Sequence, residues 1–420
     1  MTRYIAHVIF ETKTPLKVGS NKSDFLQDAP IQKDWNGLPM ILGTSLGGVF
    51  RKGYRGDKNK IFGDEDSHKK DAKGSKVIFS NALLVNEEGK VYEELLTTKT
   101  PFLQLFDNLV IREHTAITAQ GVAKDKSKFD EEVLFKGSRF KFSIELQDSN
   151  KEEFETLLNR LAEDSFRIGS GSTKGFGAIN VLEITTAAFD ETNYDEYSSS
   201  LNSKLPTSYT LTCNKDIKYD SYKLILKPDD FFMFGSGFGD DEADMTPVYE
   251  QVIDYEHKTL SKKKVLIPAS SIKGAIAHRS TFYYNEIEEK YIGDDSAFES
   301  LKEIFGEAKN SKEKIDGSKG KVLFSDCYLE KSDTKVFDHV AIDRFTGGAI
   351  DGALFQEKTA TTQEQIILEI LLEKGVEKSA QEAFEKALQD IASGMLPLGG
   401  ATTKGHGIFS GKVFKNGEQL

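Results

Sequence analysis

Apolar and polar positions alternate as in a strand along "RYIAHVIFET" (residues 3–12) and again along "YKLILKP" (residues 222–228). Period-two patterning of this kind places one face of a strand on a core. Each segment is followed by the same succession of patterns: a loop, a short helix opening at a Ser-rich turn, and a β-rich middle. Next come an amphipathic charged helix ("SNKEEFETLLNRLAED"; "SAQEAFEKALQDIAS"), a glycine-rich loop and a closing strand ("AINVLEI"; "IFSGKVF"). Strands and helices mixed in this order predict an α+β sandwich, with helices over one face of an antiparallel sheet.

The succession is written twice. "ILGTSLGGVF" pairs with "IPASSIKGAI", "KIFG" with "EIFG", and "GSKVIFSNALL" with "GKVLFSDCYL". The region around Gly121 ("TAITAQGVA") pairs with that around Gly347 ("AIDRFTGGA"), and "RIGSGSTKGFGAINV" with "LPLGGATTKGHGIFSG". Matches that keep their order along the chain indicate a tandem duplication of one domain, with a period too long for a solenoid. A polar, Ser- and Asn-rich seam divides the chain into a first domain (residues 1–190), a linker (191–206) and a second domain (207–420). A length of 420 residues suits two such cores.

Composition narrows the setting. Hydrophobic residues make up 38% and charged residues 29% of the chain, as in a soluble globular protein. No apolar run approaches the roughly 18 residues of a membrane span, and the N-terminus lacks the apolar block of a signal peptide. The expected location is the cytoplasm, with no membrane partner. Cys213 and Cys327 are too few for a disulfide framework and read as small buried residues. The seven histidines show no paired ligand spacing. The net charge of -12 argues against indiscriminate nucleic-acid binding. The acid, however, sits on amphipathic helices, whereas base gathers in "FRKGYRGDKNK", "SHKKDAKGSK" and "LSKKKVLIPASSIKG". Local basic loops on an acidic body suit RNA held at chosen points.

The glycine loops are not nucleotide-hydrolase or dinucleotide loops. A dinucleotide fingerprint runs strand, loop, helix, whereas here the order is helix, loop, strand. A phosphate loop needs Gly-Lys followed by Ser or Thr, and these loops read Thr-Lys-Gly. What remains is a close approach of backbone N–H groups to phosphate at Gly169, Gly171, Gly175 and Gly405, with Lys174 and Lys404 adding charge. A tight helix-to-strand connection is the alternative. Phe176 and His406 hold equivalent places and are candidates for stacking on a base or sugar.

Taken together, "ILGTSLGGVFR", "IPASSIKGAIAHR", "HVAIDRFTGGAIDGALF" and the two glycine loops resemble the RAMP superfamily of CRISPR effector proteins. More narrowly, they resemble the backbone subunits of type III complexes, and two fused units are similar to the tandem subunits of the type III-D branch. The resemblance covers nearly the whole chain. It implies two ferredoxin-like (RRM-type) domains, each with a glycine loop near crRNA. It also implies that "AIDRFTGGA" begins a protruding thumb hairpin that kinks the guide–target duplex. Arg344 for phosphate and Phe345 for wedging fit such single-strand contacts. The first half lacks the Asp-Arg-Phe triplet but offers Arg112, Lys124 and Lys126. Ser270 or Ser271 can cap a helix whose N-terminus faces an anion, with Lys273 and Arg279 adding charge. In the first half Ser45 and Arg51 hold the matching places, while Gly47 replaces the lysine.

The same resemblance implies metal-dependent cleavage of target RNA by one Asp in the loop after the first strand. In "FLQDAPIQKDWNGLPMILGTS" that position is Asp28. The second half carries about ten extra residues in this loop. Asp244 matches by local pattern and Asp254 by distance to the Ser turn; the motif favours Asp244, since loops accept insertions readily. Asp28 and Asp244 are therefore the candidate catalytic and metal-binding residues, with Mg²⁺ or Mn²⁺ as cofactor, because Mg²⁺ often takes only one or two carboxylates plus water and phosphate. The expected function is a crRNA-binding backbone subunit and metal-dependent endoribonuclease, with crRNA, target RNA and other effector subunits as partners. The alternatives are a non-catalytic scaffold of the same complex, or a metal-independent endonuclease that processes precursor crRNA by general acid and base.

Overall fold

The computed structural model describes residues 2–20, 30–64, 72–117, 127–212, 218–291, 296–307 and 317–420. In the first half the strand Arg3–Thr12 lies between Arg139–Gln147 and Ile179–Phe189, antiparallel to both, with His7 opposite Ser143 and Thr185. Val77–Phe79 pairs along the outer side of Arg139–Gln147. The helices Gly43–Gly53 and Lys151–Asn159 cover one face. They bury Leu46, Phe50, Phe154 and Leu157 against Ala6, Val8, Phe10 and Phe142 of the sheet. Alternation along Arg3–Thr12 sends Ala6, Val8 and Phe10 to this core and Ile5 to the opposite face.

The second half repeats the plan. Tyr219–Pro228 lies between Ile366–Glu373 and Phe409–Lys415, and Val322–Phe324 pairs outside Ile366–Glu373. Ala269–Ile287 and Lys378–Ala392 pack Ile272, Ile276, Phe384 and Leu388 on Leu224 and Leu226. In chain order the four shared strands of each half stand second, third, first, fourth across the sheet. Both halves are thus ferredoxin-like α+β units.

The polar seam is not a free tether. Leu201 and Leu205 are buried on the outer face of the first sheet, beside Val85 and Val91 and beside Ile5 and Phe189. Thr207–Ser208 then extends that sheet by pairing with Thr185 and Thr186. The extra residues of the second half also have a structural use. They form a small hairpin, Ile253–Asp254 with Thr259–Leu260, whose Tyr255 enters the first half. There the Tyr255 hydroxyl donates to the Val85 carbonyl (2.8 Å) and accepts from the Arg139 amide (3.1 Å), and its ring packs on Phe102.

Each half projects a two-stranded hairpin: Val110–His114 with Phe129–Val133, and Asp333–His339 with Phe355–Thr361. "AIDRFTGGA" does not begin the second hairpin but lies at its tip. Its strands start at Asp333, and Asp343 closes the tip turn by accepting from the Phe345 and Thr346 amides. Phe345 there is fully exposed.

Candidate nucleic-acid interface

The glycine loops fold alike because each leans on the end of its half's first strand segment. Ser170 N donates to Lys17 O and Gly177 N to Pro15 O; in the second half Gly400 N donates to Met233 O and Gly407 N to Phe231 O. A Cβ at Gly169 would meet Lys17 O at 2.2 Å, and one at Gly399 would meet Met233 O at 2.4 Å. The glycines are therefore demanded by packing within each half. Further amides turn inward as well: Lys174 N and Phe176 N donate to Gly171 O, while Lys404 N and His406 N donate to Ala401 O. The side chains of the loop lysines, Lys174 and Lys404, are both partly exposed.

Each of those lysines belongs to a constellation that the sequence did not reveal. In the second half Lys404 lies over the Phe355 ring (4.8 Å) and 3.2 Å from Glu357. His339, opposite Phe355 in the hairpin, stacks on that ring and faces Glu357 at 3.2 Å. In the first half Lys174 lies over Phe129 (5.0 Å) and 3.8 Å from Glu131, and His114, opposite Phe129, stacks on it 3.4 Å from Glu131. Lys, Phe, His and buried Glu are thus duplicated with the fold, tying each glycine loop to the tip-side end of its hairpin's paired strands. Lys17 adds a second lysine in the first half, 2.8 Å from Glu131. Burial alone would raise that carboxyl, but His114, Lys17 and Lys174 hold it down at about 2.

Several predicted RNA contacts are spent inside the protein. Arg112 is buried between the halves, its guanidinium 2.7 Å from Asp326 and 2.9 Å from Glu250 and also touching the Tyr328 hydroxyl. Desolvation would lower its pKa, yet Asp326 and Glu250 raise it well above the ordinary value. Phe176 lies buried under that guanidinium, and Gly175 packs so closely on Ala269 that a Cβ would come within 2.6 Å. Neither is open to a base or phosphate. Arg51 donates to Phe62 O, Gly63 O and Asn59, bracing the next turn, and Arg279 is held by Asp390 of the neighbouring helix. No serine caps the helix at 269: it starts after Pro268, and the Ala269 amide donates to Asp326 (2.8 Å). In the first half the Gly43 amide donates to Asn81, so Ser45 likewise sits inside its helix.

Other candidates stay available. Lys273 reaches toward the Thr173 hydroxyl (3.4 Å), bringing it to the first glycine loop beside Lys174. Burial first, then the Lys174 charge, lowers the Lys273 pKa to about 8. Arg344 and Phe345 are exposed at the hairpin tip. His406, half-buried, packs on Phe231 and Phe337. Asp28, Lys124 and Lys126 lie outside the described residues.

For the loop acids, strand register supplies a correspondence. Gly19 bridges Ile31 in the first half and Gly235 bridges Pro247 in the second. Counting three residues back along the sequence from Ile31 and Pro247 reaches Asp28 and Asp244. Asp244 is exposed and anchored by one oxygen, which accepts from the Gln356 amide (2.8 Å) in the return strand of the second hairpin. Asp254 instead closes its own hairpin turn, accepting from the Glu256 and His257 amides and meeting the His257 ring. Among the described residues no group of three or more His, Cys, Asp or Glu is arranged to hold a metal ion. Asp244 therefore fits only a site in which RNA phosphate and water complete the shell.

The model of the RAMP superfamily matches residues 9–180 and 250–410. The chain belongs to the RAMP superfamily. Each match takes in one hairpin and one glycine loop of this RAMP chain, so the duplication seen in the sheets is a duplication of the family's unit. A solved chain titled "Cryo-EM structure of the Type III-B Cmr-beta bound to cognate target RNA" is similar at 16% identity and a TM-score of 0.33. The similarity covers 44% of the RAMP chain and 61% of the solved one, so this chain spans under two thirds of that relative's length. No curated protein matches the sequence. No described helix of this RAMP chain is long and apolar enough to cross a membrane.

Proposed function

We propose that this RAMP chain is a crRNA-binding backbone subunit of a type III CRISPR effector complex, working in the cytoplasm with crRNA, target RNA and other effector subunits. The observation that carries the reading is the second hairpin: a fully exposed Phe345 and Arg344 at its tip, and Lys404 of the glycine loop where its paired strands meet the tip segment. Lysine takes backbone phosphate and an exposed aromatic wedges between bases, a combination suited to single strands. Lys174 and Lys273 supply a second pair of charges where the halves meet.

The subunit also cleaves the bound target. Asp28 and Asp244 stand three residues before Ile31 and Pro247, the bridge residues that correspond between the halves, and Asp244 is fixed by its bond to Gln356, the residue after Phe355 in the return strand of the hairpin. In the reaction the ribose 2′-oxygen attacks the adjacent phosphorus, its proton passes to water, and the bond to the 5′-oxygen breaks to leave a 2′,3′-cyclic phosphate and a protonated 5′-hydroxyl; a bound Mg²⁺ or Mn²⁺ would offset the phosphate charge. The Asp244 carboxylate would hold that ion by its oxygen not engaged with Gln356, while the hairpin orients the scissile linkage. Distant units share no partners, so their effects should add. Asp28→Ala should remove one product band and Asp244→Ala another, each leaving crRNA affinity unchanged, and chelation should remove both. If both variants cut normally, the subunit is a scaffold. If cleavage persists without divalent metal, a general acid–base mechanism replaces this one.

A further inference from the structure

The hairpin that carries Tyr255 has a counterpart in the first half. It lies between the bridged residue Pro247 and the strand pairs Leu266–Tyr328 and Ile267–Cys327; the matching bounds in the first half are Ile31 and the pairs Met40–Leu83 and Ile41–Ala82. Between those bounds stands a tight turn. The Asp34 amide donates to Leu38 O (2.8 Å), and the Asp34 carboxylate accepts from the Asn36 and Leu38 amides. At its tip is Trp35, 92% exposed. The Asn36 side chain ties the turn to Glu94 O and to the Leu96 amide, which brings the exposed Leu95 to the same place. A tryptophan presented on a turn held this firmly is preorganised for a partner, and such aromatics dominate the energetics of interfaces.

Tyr255 shows where a tip of this kind goes. It packs with Ile9 and Leu83 against Val85, Val91 and Leu201, on the outer face of the first sheet. In the second half the matching face is open. Ile9 and Ile225 each stand seven residues before the corresponding bridged residues Leu16 and Phe232. Lys141 lies opposite Ile9, and Ile367, 39% exposed, lies opposite Ile225. His7 at the centre of the first sheet is buried, whereas Lys223 in the matching position is exposed. The second half also lacks the segment that holds Val91: its long hairpin begins at Asp333, shortly after Cys327–Tyr328, whereas the first half runs from Leu84 to Val110 before its own.

Among the described residues the chain thus carries one unmatched tip and one unmatched face, of the two kinds that meet inside it. We propose that Trp35 of one copy docks on the Ile225–Ile367 face of a second copy, repeating between chains the contact that Tyr255 makes within one. The contact joins different surfaces of the two partners, so it is head-to-tail and further copies can extend it. The proposal deepens the multi-subunit part of the reading above by naming this chain as its own neighbour, and it rests on the repeat rather than on RNA binding or cleavage. Lys223, Lys227 and Lys412 border the face, which makes RNA the rival occupant. The internal precedent of tip on face favours protein.

Trp35 is the only tryptophan, so its fluorescence reports the contact. In the full chain without RNA, its emission should move to shorter wavelength and become protected from acrylamide as protein concentration rises. The growth in mass seen by analytical ultracentrifugation should run in step. Trp35→Ala should weaken association by about thirtyfold or more, as truncation of a central interface aromatic does. Ile367→Glu should weaken it from the other side, with circular dichroism verifying both folds. Mixed, the two variants should pair, because one keeps the face and the other the tip. Titrating tryptophan-free Trp35→Ala into Ile367→Glu should therefore shift the emission and stop at a heterodimer. A wild type that stays monomeric, or that associates with its Trp35 emission unmoved, overturns the proposal and leaves the RNA-binding reading untouched. If Ile367→Glu also lowers affinity for a short unstructured RNA in that monomeric chain, the face takes nucleic acid instead.

Discussion

Lys273 carries the clearest pH signature of any residue at the interface. Its pKa is lowered to about 8 by burial and then by Lys174, so in the free protein it loses its proton near neutral to mildly alkaline pH. A phosphate placed against it would raise that pKa, and binding would then take up a proton. Affinity for RNA should accordingly fall as pH rises above about 8, by up to about tenfold per unit until the bound-state pKa is passed. Lys273→Met should flatten the profile over that window, which titrations at fixed ionic strength will show; a profile unchanged by the substitution would mean that Lys273 meets no phosphate. The sequence drew attention to Lys273 through its position after a Ser-rich turn, and the structure places it at the Thr173 hydroxyl within reach of the Lys174 charge. Arg112, Arg51 and Arg279 looked equivalent in sequence. A basic residue discloses its sign but not its partner, and Glu250 and Asp326 lie far along the chain from Arg112.

The duplicated elements could be read from the sequence because each depends on a local pattern. Alternating strands, amphipathic helices and Thr-Lys-Gly loops recur in the same order in both halves, and the sheets follow that order. The Lys–Phe–His–Glu constellation could not be read so, since it gathers residues from both arms of a hairpin and from a distant loop. Only the cross-strand pairs His114–Phe129 and His339–Phe355 bring them together. Helix starts were misread for a related reason. Serine near a helix start usually signals a cap, but here Asn81 and Asp326, each in the short connection between two strands, take the first amides. At the hairpin tip Phe345 touches no core, so Phe345→Ala should change stability by no more than about 0.5 kcal/mol. In the proposed role it should nonetheless abolish base unstacking, read by 2-aminopurine fluorescence in a bound target, and slow cleavage. Unaltered fluorescence would show that the tip does not wedge.

At the scale of the whole molecule, two reciprocal clasps join units that the sequence presents as separate domains. Arg112 of the first half enters the second, and Tyr255 of the second half enters the first. Domains in one chain ordinarily move relative to each other unless their interface is large and apolar, but a buried charge shared between halves makes separation costly. Pulling the halves apart would leave Arg112, Glu250 and Asp326 unpaired, so the wild type should unfold in one cooperative transition. Arg112→Met removes the cation and strands two carboxylates, and breaking a buried pair in this way costs about 3–5 kcal/mol. Denaturant titration should show that loss at pH 7. The pH dependence follows from which state binds the protons. Burial raises the Asp326 carboxyl and Arg112 opposes that rise, so without Arg112 the folded variant holds a proton there that the unfolded chain releases. Its stability is then fully present below the unfolded carboxylate range, near pH 4, and is lost as pH rises through the raised folded value. The deficit of Arg112→Met against the wild type should therefore shrink toward pH 5, and Arg112→Met/Asp326→Asn should recover part of it at pH 7. A deficit that stays constant with pH would mean that the contribution of Arg112 is its packing on Phe176 rather than its charge.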